Sequence, residues 1–221
     1  MKPQQALRRL AARYGRQQAW WPAAHTFEVV IGALLVQQTR WVQVEQSLAA
    51  LRAQSLLRPE LLADVDLQRL AELIRPSGFN HQKSARLRRI AGWWQAQGGY
   101  PALSRWTTPD LRGALLGQSG VGPETADAIL LYGFNRPVFV VDAYLRRLQQ
   151  RLAGRTDDDN GDQALARQWL AACDHDAERC RQAHALVVIH GQRNCRPKPD
   201  CRGCPLQPGC SYAGSSILAR R

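Results

Sequence analysis

Along most of this chain the apolar positions recur with the 3.6-residue period of a helix. Residues 4–18 set Leu7, Leu10 and Ala11 on one side and Arg8, Arg9, Arg13 and Arg16 on the other, which predicts a basic amphipathic helix. Residues 29–36 are apolar on nearly every side, as expected of a helix buried in the core of a helical domain, and the run stops abruptly at Gln37-Gln38-Thr39-Arg40. The period resumes over residues 41–53, with Val44, Leu48 and Leu51 on one face. Short helical segments are predicted at 59–66 and 67–74, a turn at Arg75-Pro76-Ser77-Gly78-Phe79, and a longer helix at 82–97. That helix sets Arg86, Arg88 and Arg89 against Ile90, Trp93 and Trp94, and the tryptophan pair reads as core packing.

The most informative stretch runs from 115 to 147. A helix bearing Leu111, Ala114 and Leu115 meets Gly120-Val121-Gly122, and Pro123 opens the next helix. Two glycines around one aliphatic residue let backbone approach a ligand, and amides at a helix start receive a phosphate well. The apolar run Val138-Phe139-Val140-Val141 then stops at Asp142, which is expected at or near the N-cap of a helix beginning Ala143-Tyr144-Leu145-Arg146-Arg147. Further helices are predicted to residue 152, at 163–172 and at 181–190. No strand period is longer than 138–141, so the predicted class is all-α.

At 221 residues the chain can bury a core and hold one or two domains. A formal net charge of +12 favours a polyanionic partner. No run of eighteen apolar residues occurs, which argues against a membrane span, and residues 1–15 lack an apolar signal core, so a cytoplasmic protein is expected. Four of the six cysteines crowd into the last thirty residues, at Cys195, Cys201, Cys204 and Cys210, with gaps of five, two and five. That crowding points to a metal centre rather than disulfides. Cys173 and Cys180 lie outside the pattern and read as ordinary thiols. The acidic run at 157–162 places Gly161 and the following residues wrongly for a calcium loop and reads as a solvated loop.

Gly120-Val121-Gly122-Pro123-Glu124-Thr125-Ala126, followed by Val140-Val141-Asp142-Ala143-Tyr144-Leu145-Arg146-Arg147, resembles the helix–hairpin–helix and Gly/Pro…Asp elements of the endonuclease III superfamily of DNA glycosylases. The resemblance covers nearly the whole chain. It implies two helical lobes, one of six helices over residues 24–135 with the hairpin, the other over 1–23 plus 136–221 with Asp142 and the cysteine loop. It implies that Gly120, Val121, Gly122 and Thr125 bind DNA, that Asp142 is catalytic, and that Cys195, Cys201, Cys204 and Cys210 hold a [4Fe–4S] cluster. The family's loop has six residues in its first gap, one more than here; four cysteines also suit structural zinc, which stays as the alternative.

Trp20-Trp21-Pro22, Phe27-Glu28 with Gln37-x-Thr39, Arg75-Pro76-Ser77-Gly78-Phe79 with Gln82-Lys83, and residues 124–130 are similar to the 3-methyladenine DNA glycosylase branch of that superfamily. This likeness implies that Trp20, Trp21 and Trp41 line a base pocket, with Gln37 and Gln38 available to fill the hole left by a flipped base. Glu124 faces that pocket or caps its helix. Lyase members carry lysine where Glu124 stands, and the adenine-mismatch branch carries glutamate where Ala33 stands. The alkyl-base relatives lack the cysteine loop and place a lysine near Gln192. The implied activity is hydrolytic release of a damaged base, an alkylated purine, from double-stranded DNA, by a monomer in the nucleoid and without strand cleavage. The alternatives are an oxidised-pyrimidine or mismatch glycosylase, or an inactive damage-binding protein.

Overall fold

The computed structural model describes residues 1–18, 20–154 and 161–218, with no side-chain description for 215–218. It is helical throughout the described residues and divides into two compact units. One comprises Trp21–Arg136, the other Met1–Trp20 together with Pro137–Arg221.

The first of these units is built around α2 (Thr26–Leu35), in which every residue after Thr26 is buried. Its one charged member, Glu28, is 1% exposed and pairs with Arg52 while accepting the Ala24 amide at 3.1 Å. A buried carboxylate needs such partners, because desolvation without them costs several kcal/mol. Around α2 stand α3 (Trp41–Ala53), α4 (Pro59–Asp64), α5 (Leu67–Leu73) and α6 (Asn80–Ala96), followed by α7 (Gly99–Leu103), α8 (Thr108–Leu116) and α9 (Pro123–Ala128). Val44, Leu48 and Leu51 face inward, as their spacing predicts. Trp94 is buried between Phe27 and Phe134, with ring centroids 5.3 and 5.8 Å away, whereas Trp93 is only half-buried. Beyond α9 the helix widens into a π-helical stretch over Ile129–Gly133.

The other unit contains α1 (Pro3–Tyr14), α10 (Ala143–Ala153), α11 (Gly161–Ala172), α12 (Ala177–Arg193) and α13 (Ser211–Leu218). α10 and α1 both pack on α12, and the fully buried Trp169 packs on Phe139 at 5.5 Å. Helix α1 stops at Tyr14 rather than reaching residue 18, because Gly15 takes φ +69° and its amide closes on Ala11 O. Helix α12 begins four residues earlier than its apolar run suggests, since the Asp176 side chain caps it by accepting the Arg179 amide. Residues 138–141 form no strand; they are a loop leading into α10. Of the acidic run, residues 157–160 lie outside the described residues.

Candidate active site and cysteine loop

In the unit Trp21–Arg136, the hairpin between α8 and α9 is braced from behind. Gly120 has φ +85°, the left-handed region where a side chain is strained. An added Cβ there would also stand 2.5 Å from Cδ of Arg86. The Gln37 amide donates to Gly120 O at 2.8 Å and to Thr125 Oγ1 at 3.1 Å, and Arg86 donates to Gln37 Oε1 at 3.4 Å. Arg112 makes a two-pronged pair with Asp127 at 2.7 and 3.0 Å, locking α8 to α9. Val121 and Thr125 are therefore buried hairpin struts. Gly122 differs: its φ is −92°, and nothing lies within 4 Å of where a Cβ would sit. Neither conformation nor packing within the chain requires glycine there. Glu124 is exposed in the first turn of α9.

The same unit brings three half-buried aromatic rings together. Trp21 meets Trp41 edge-on at 5.1 Å and stacks on Tyr132 at 4.9 Å, while Trp41 Nε1 donates to Glu45. An added Cβ at Gly32 would sit 3.4 Å from Trp21 Nε1, so α2 gives this ring its seat. Trp20 is half-buried and belongs to the other unit.

Four exposed non-glycine residues described in this unit have left-handed backbone, Gln38, Ser55, Phe79 and Asn135, and two of them flank one buried lysine. Gln38 has φ +56° and Phe79 has φ +49°, and Phe79 leaves 59% of its surface in solvent. A bulky aromatic in that conformation is a true outlier. Both turns are anchored by buried Lys83, whose ammonium donates to Leu35 O at 2.8 Å and Ser77 O at 2.7 Å. Burial, with Arg86 nearby, lowers its pKa from the ordinary lysine value.

In the other unit Asp142 caps α10. Its Oδ1 accepts the Leu145 amide at 2.7 Å, its Oδ2 lies 3.5 Å from Nε2 of His184 on α12, and only 6% of the residue is exposed.

The four cysteines of the C-terminal loop line one pocket with Leu148, Leu152, His190 and Leu206. Arg151 donates to Cys195 Sγ at 3.2 Å, to Arg196 O at 2.7 Å and to Pro197 O at 3.0 Å, so it clasps the shortened first gap. Arg147 donates to Cys195 O at 2.7 Å. On the opposite flank Tyr14 lies 3.0 Å from His190 Nδ1 and donates to Asn194 at 2.7 Å, and His190 Nε2 is 3.9 Å from Cys204 Sγ. Burial lowers His190 to about 4, which keeps the ring neutral. Burial raises Cys201 and Cys204, and charge on neighbouring cysteines raises them further. Four thiols that repel one another when ionised suit a cationic centre. Among the described residues, no group of three His, Cys, Asp or Glu meets closely enough for a single ion. Cys173 and Cys180 are buried elsewhere in this unit.

Residues 31–171, which span the hairpin, the aromatic trio except Trp21, and Asp142, match the model of the HhH-GPD superfamily base excision DNA repair proteins. A Methanocaldococcus jannaschii protein named as a DNA repair glycosylase is 38% identical over 200 residues, covering 89% of this chain and 90% of its own. The chain belongs to the HhH-GPD superfamily. It is a DNA repair glycosylase of that superfamily. An H. pylori 3-methyladenine DNA glycosylase, solved with 1,N6-ethenoadenine, superposes with a TM-score of 0.77 at 26% identity. The overlap covers 87% of this chain and 98% of that one. A trapped endonuclease III–DNA covalent intermediate has the same fold, with a TM-score of 0.80 at 21% identity over 98% of this chain and 99% of that one. Among the described residues of this glycosylase, no helix is long and apolar enough to cross a membrane.

Three residues near these features escape the sequence reading. Tyr132 sits in a π-helical turn, a common functional distortion that no sequence period announces. His184 lies within an unbroken buried run, residues 183–191, and looks like core. Phe79 has a usable signal, an aromatic directly after Gly78 at a turn.

Proposed function

We propose that this protein is a monofunctional glycosylase that hydrolyses the N-glycosidic bond of an alkylated purine flipped out of double-stranded DNA. The observation that carries the reading is Asp142: a buried carboxylate, anchored at a helix mouth, that follows a hairpin built for backbone contact. Phosphate is received at Gly122 and the start of α9, where open space replaces a side chain. The flipped base recovers its lost stacking on Trp21, Trp41 and Tyr132. A cationic alkylated base gains roughly 0.5–2 kcal/mol more from each ring face it meets. Phe79 enters the stack the base has vacated, as apolar wedges do in minor-groove proteins, and the polar Gln38 fills the hole beside the orphaned partner base.

The bond from C1′ to the base then breaks, its electron pair leaves with the base, and positive charge develops on the deoxyribose. Asp142 stabilises that charge and orients a water, which adds to C1′ and passes its proton to the carboxylate. A cationic base needs no strong general acid, because the departing pair neutralises it. The products are free base and an intact abasic site. Strand cleavage would require an amine nucleophile. The sequence contains three lysines, Lys2, Lys83 and Lys198, and Lys83 is clamped between two carbonyls. Glu124 occupies the position that is lysine in lyase members.

Cys195, Cys201, Cys204 and Cys210 would hold a [4Fe–4S] cluster, with every ligand position taken by protein. Such a centre orders the loop and takes no part in bond breaking. Four thiols lining one pocket suit such a cluster, and structural zinc is the alternative. The protein acts as a monomer on nucleoid DNA.

The test is a set of duplexes, each carrying one 3-methyladenine, 1,N6-ethenoadenine, thymine glycol, uracil or mismatched base, assayed for released base. Release of the alkylated purines ahead of the others supports the reading. Preference for thymine glycol would favour endonuclease III-type specificity, to which the cysteine loop lends weight. No release from any duplex would leave a damage-binding protein.

A further inference from the structure

The second carboxylate oxygen of Asp142 is not left to solvent. His184 projects from α12 and brings Nε2 to 3.5 Å from Oδ2, and both residues are over nine-tenths buried, at 7% and 6% exposure. Helices α10 and α12 are held in this pairing at closer quarters further along. An added Cβ at Gly191 would lie 2.3 Å from Cδ1 of Tyr144, and Arg147 donates to Gly191 O at 3.3 Å. His184 and Gly191 are seven residues apart, about two helical turns, so they share one face of α12. The contact that sets helix spacing at Gly191 therefore also sets the distance from His184 to Asp142.

We propose that His184 is a positioning residue for Asp142, holding Oδ2 from one side while the Leu145 amide holds Oδ1 from the other. This inference rests on the reading of Asp142 given above. A carboxylate gripped at Oδ1 alone can still swing Oδ2 about the side-chain torsion. With His184 opposite, the plane of the group is fixed before substrate arrives, and each oxygen keeps a lone pair for the sugar or the attacking water. Misplacement of a reacting group by about 1 Å can cost on the order of 10²-fold in rate. The ring is buried and its neighbours in the run Ala183–Gly191 are buried too, which explains why it passes for core in the sequence.

The experiment compares His184→Gln with His184→Asn. A glutamine amide nitrogen reaches as far as the imidazole Nε2, whereas that of asparagine stops at the level of Nδ1. Single-turnover base release is measured on whichever duplex of the set above the wild type processes fastest, together with affinity for undamaged duplex and the thermal midpoint. His184→Gln should stay within a few-fold of wild type, His184→Asn should fall by about 10- to 100-fold, and affinity should be unchanged in both. Should the Asn variant fail to fold, His184→Leu reads the same loss. Equal rates for Gln and Asn, or a wild-type rate in a folded Asn or Leu variant, would overturn the proposal. Asp142→Asn runs alongside: if it turns over like wild type, the reading of Asp142 itself falls, whereas an inactive Asp142→Asn with indifferent His184 variants sinks this inference alone.

Discussion

Replacing each glycine of the hairpin by alanine should separate folding from DNA binding. At Gly120 the backbone has φ +85°, which costs an alanine about 1–2 kcal/mol. The new methyl would also push aside Arg86, at 2.5 Å, and with it the bond to Gln37 that braces the turn. The flexible end of Arg86 can move cheaply, so backbone strain dominates the cost. For a chain of this length the thermal midpoint falls by about 2–4 °C per kcal/mol, giving a loss of several degrees. Gly122 has φ −92° and open space around it, so alanine there should be neutral or stabilising by roughly 0.4–1 kcal/mol through the unfolded chain. Its methyl would stand where a phosphate must approach. Losing one charge-assisted hydrogen bond costs about 1.5–3 kcal/mol, or tenfold and more in affinity. Thermal melts and fluorescence anisotropy with an undamaged labelled duplex read the two effects separately. Gly122→Ala with unchanged midpoint and affinity within twofold of wild type would refute this account of the hairpin.

Three further outcomes are expected. Protein purified without oxygen should be yellow-brown and contain about four irons per chain, and Cys204→Ser should lose them; a colourless protein with one zinc would contradict the cluster. Trp41→Ala should slow base release more than it weakens undamaged-duplex binding, since stacking serves only the flipped base while phosphate contacts carry non-specific affinity; equal losses in both would remove Trp41 from the pocket. Phe79→Gly relieves left-handed strain, so it should hold or raise the thermal midpoint while slowing release, and a lower midpoint with normal turnover would mark Phe79 as structural.

What the sequence reveals here is mostly local. The hairpin is legible because Gly120, Gly122 and Pro123 act through their own backbone geometry, and Asp142 because an N-cap is a contact only three residues long. The end of α1 at Tyr14 follows from Gly15, a signal outweighed by the continuing arginine pattern to Arg16. The missed features depend on distant partners. Gln37 is engaged by residues 83 and 88 positions away, and nothing beside it in sequence says so. His184 meets Asp142 across 42 residues, and Lys83 meets Leu35 across 48. The short helices α7 and α13 carry too few turns to show a period.

The role proposed for Asp142 is to drive hydrolysis of a base–sugar bond that leaves the strand whole. Its most direct measurement is single-turnover processing of an end-labelled duplex with one 1,N6-ethenoadenine, by wild type and by Asp142→Asn, with products resolved before and after hot alkali and with borohydride added in parallel. Wild-type strands should be cut only after alkali, borohydride should trap no complex, and the Asn variant should bind the duplex normally yet release base at least about 10²-fold more slowly. Wild-type strand cutting without alkali together with a trapped complex, or an Asn variant as fast as wild type, would contradict it.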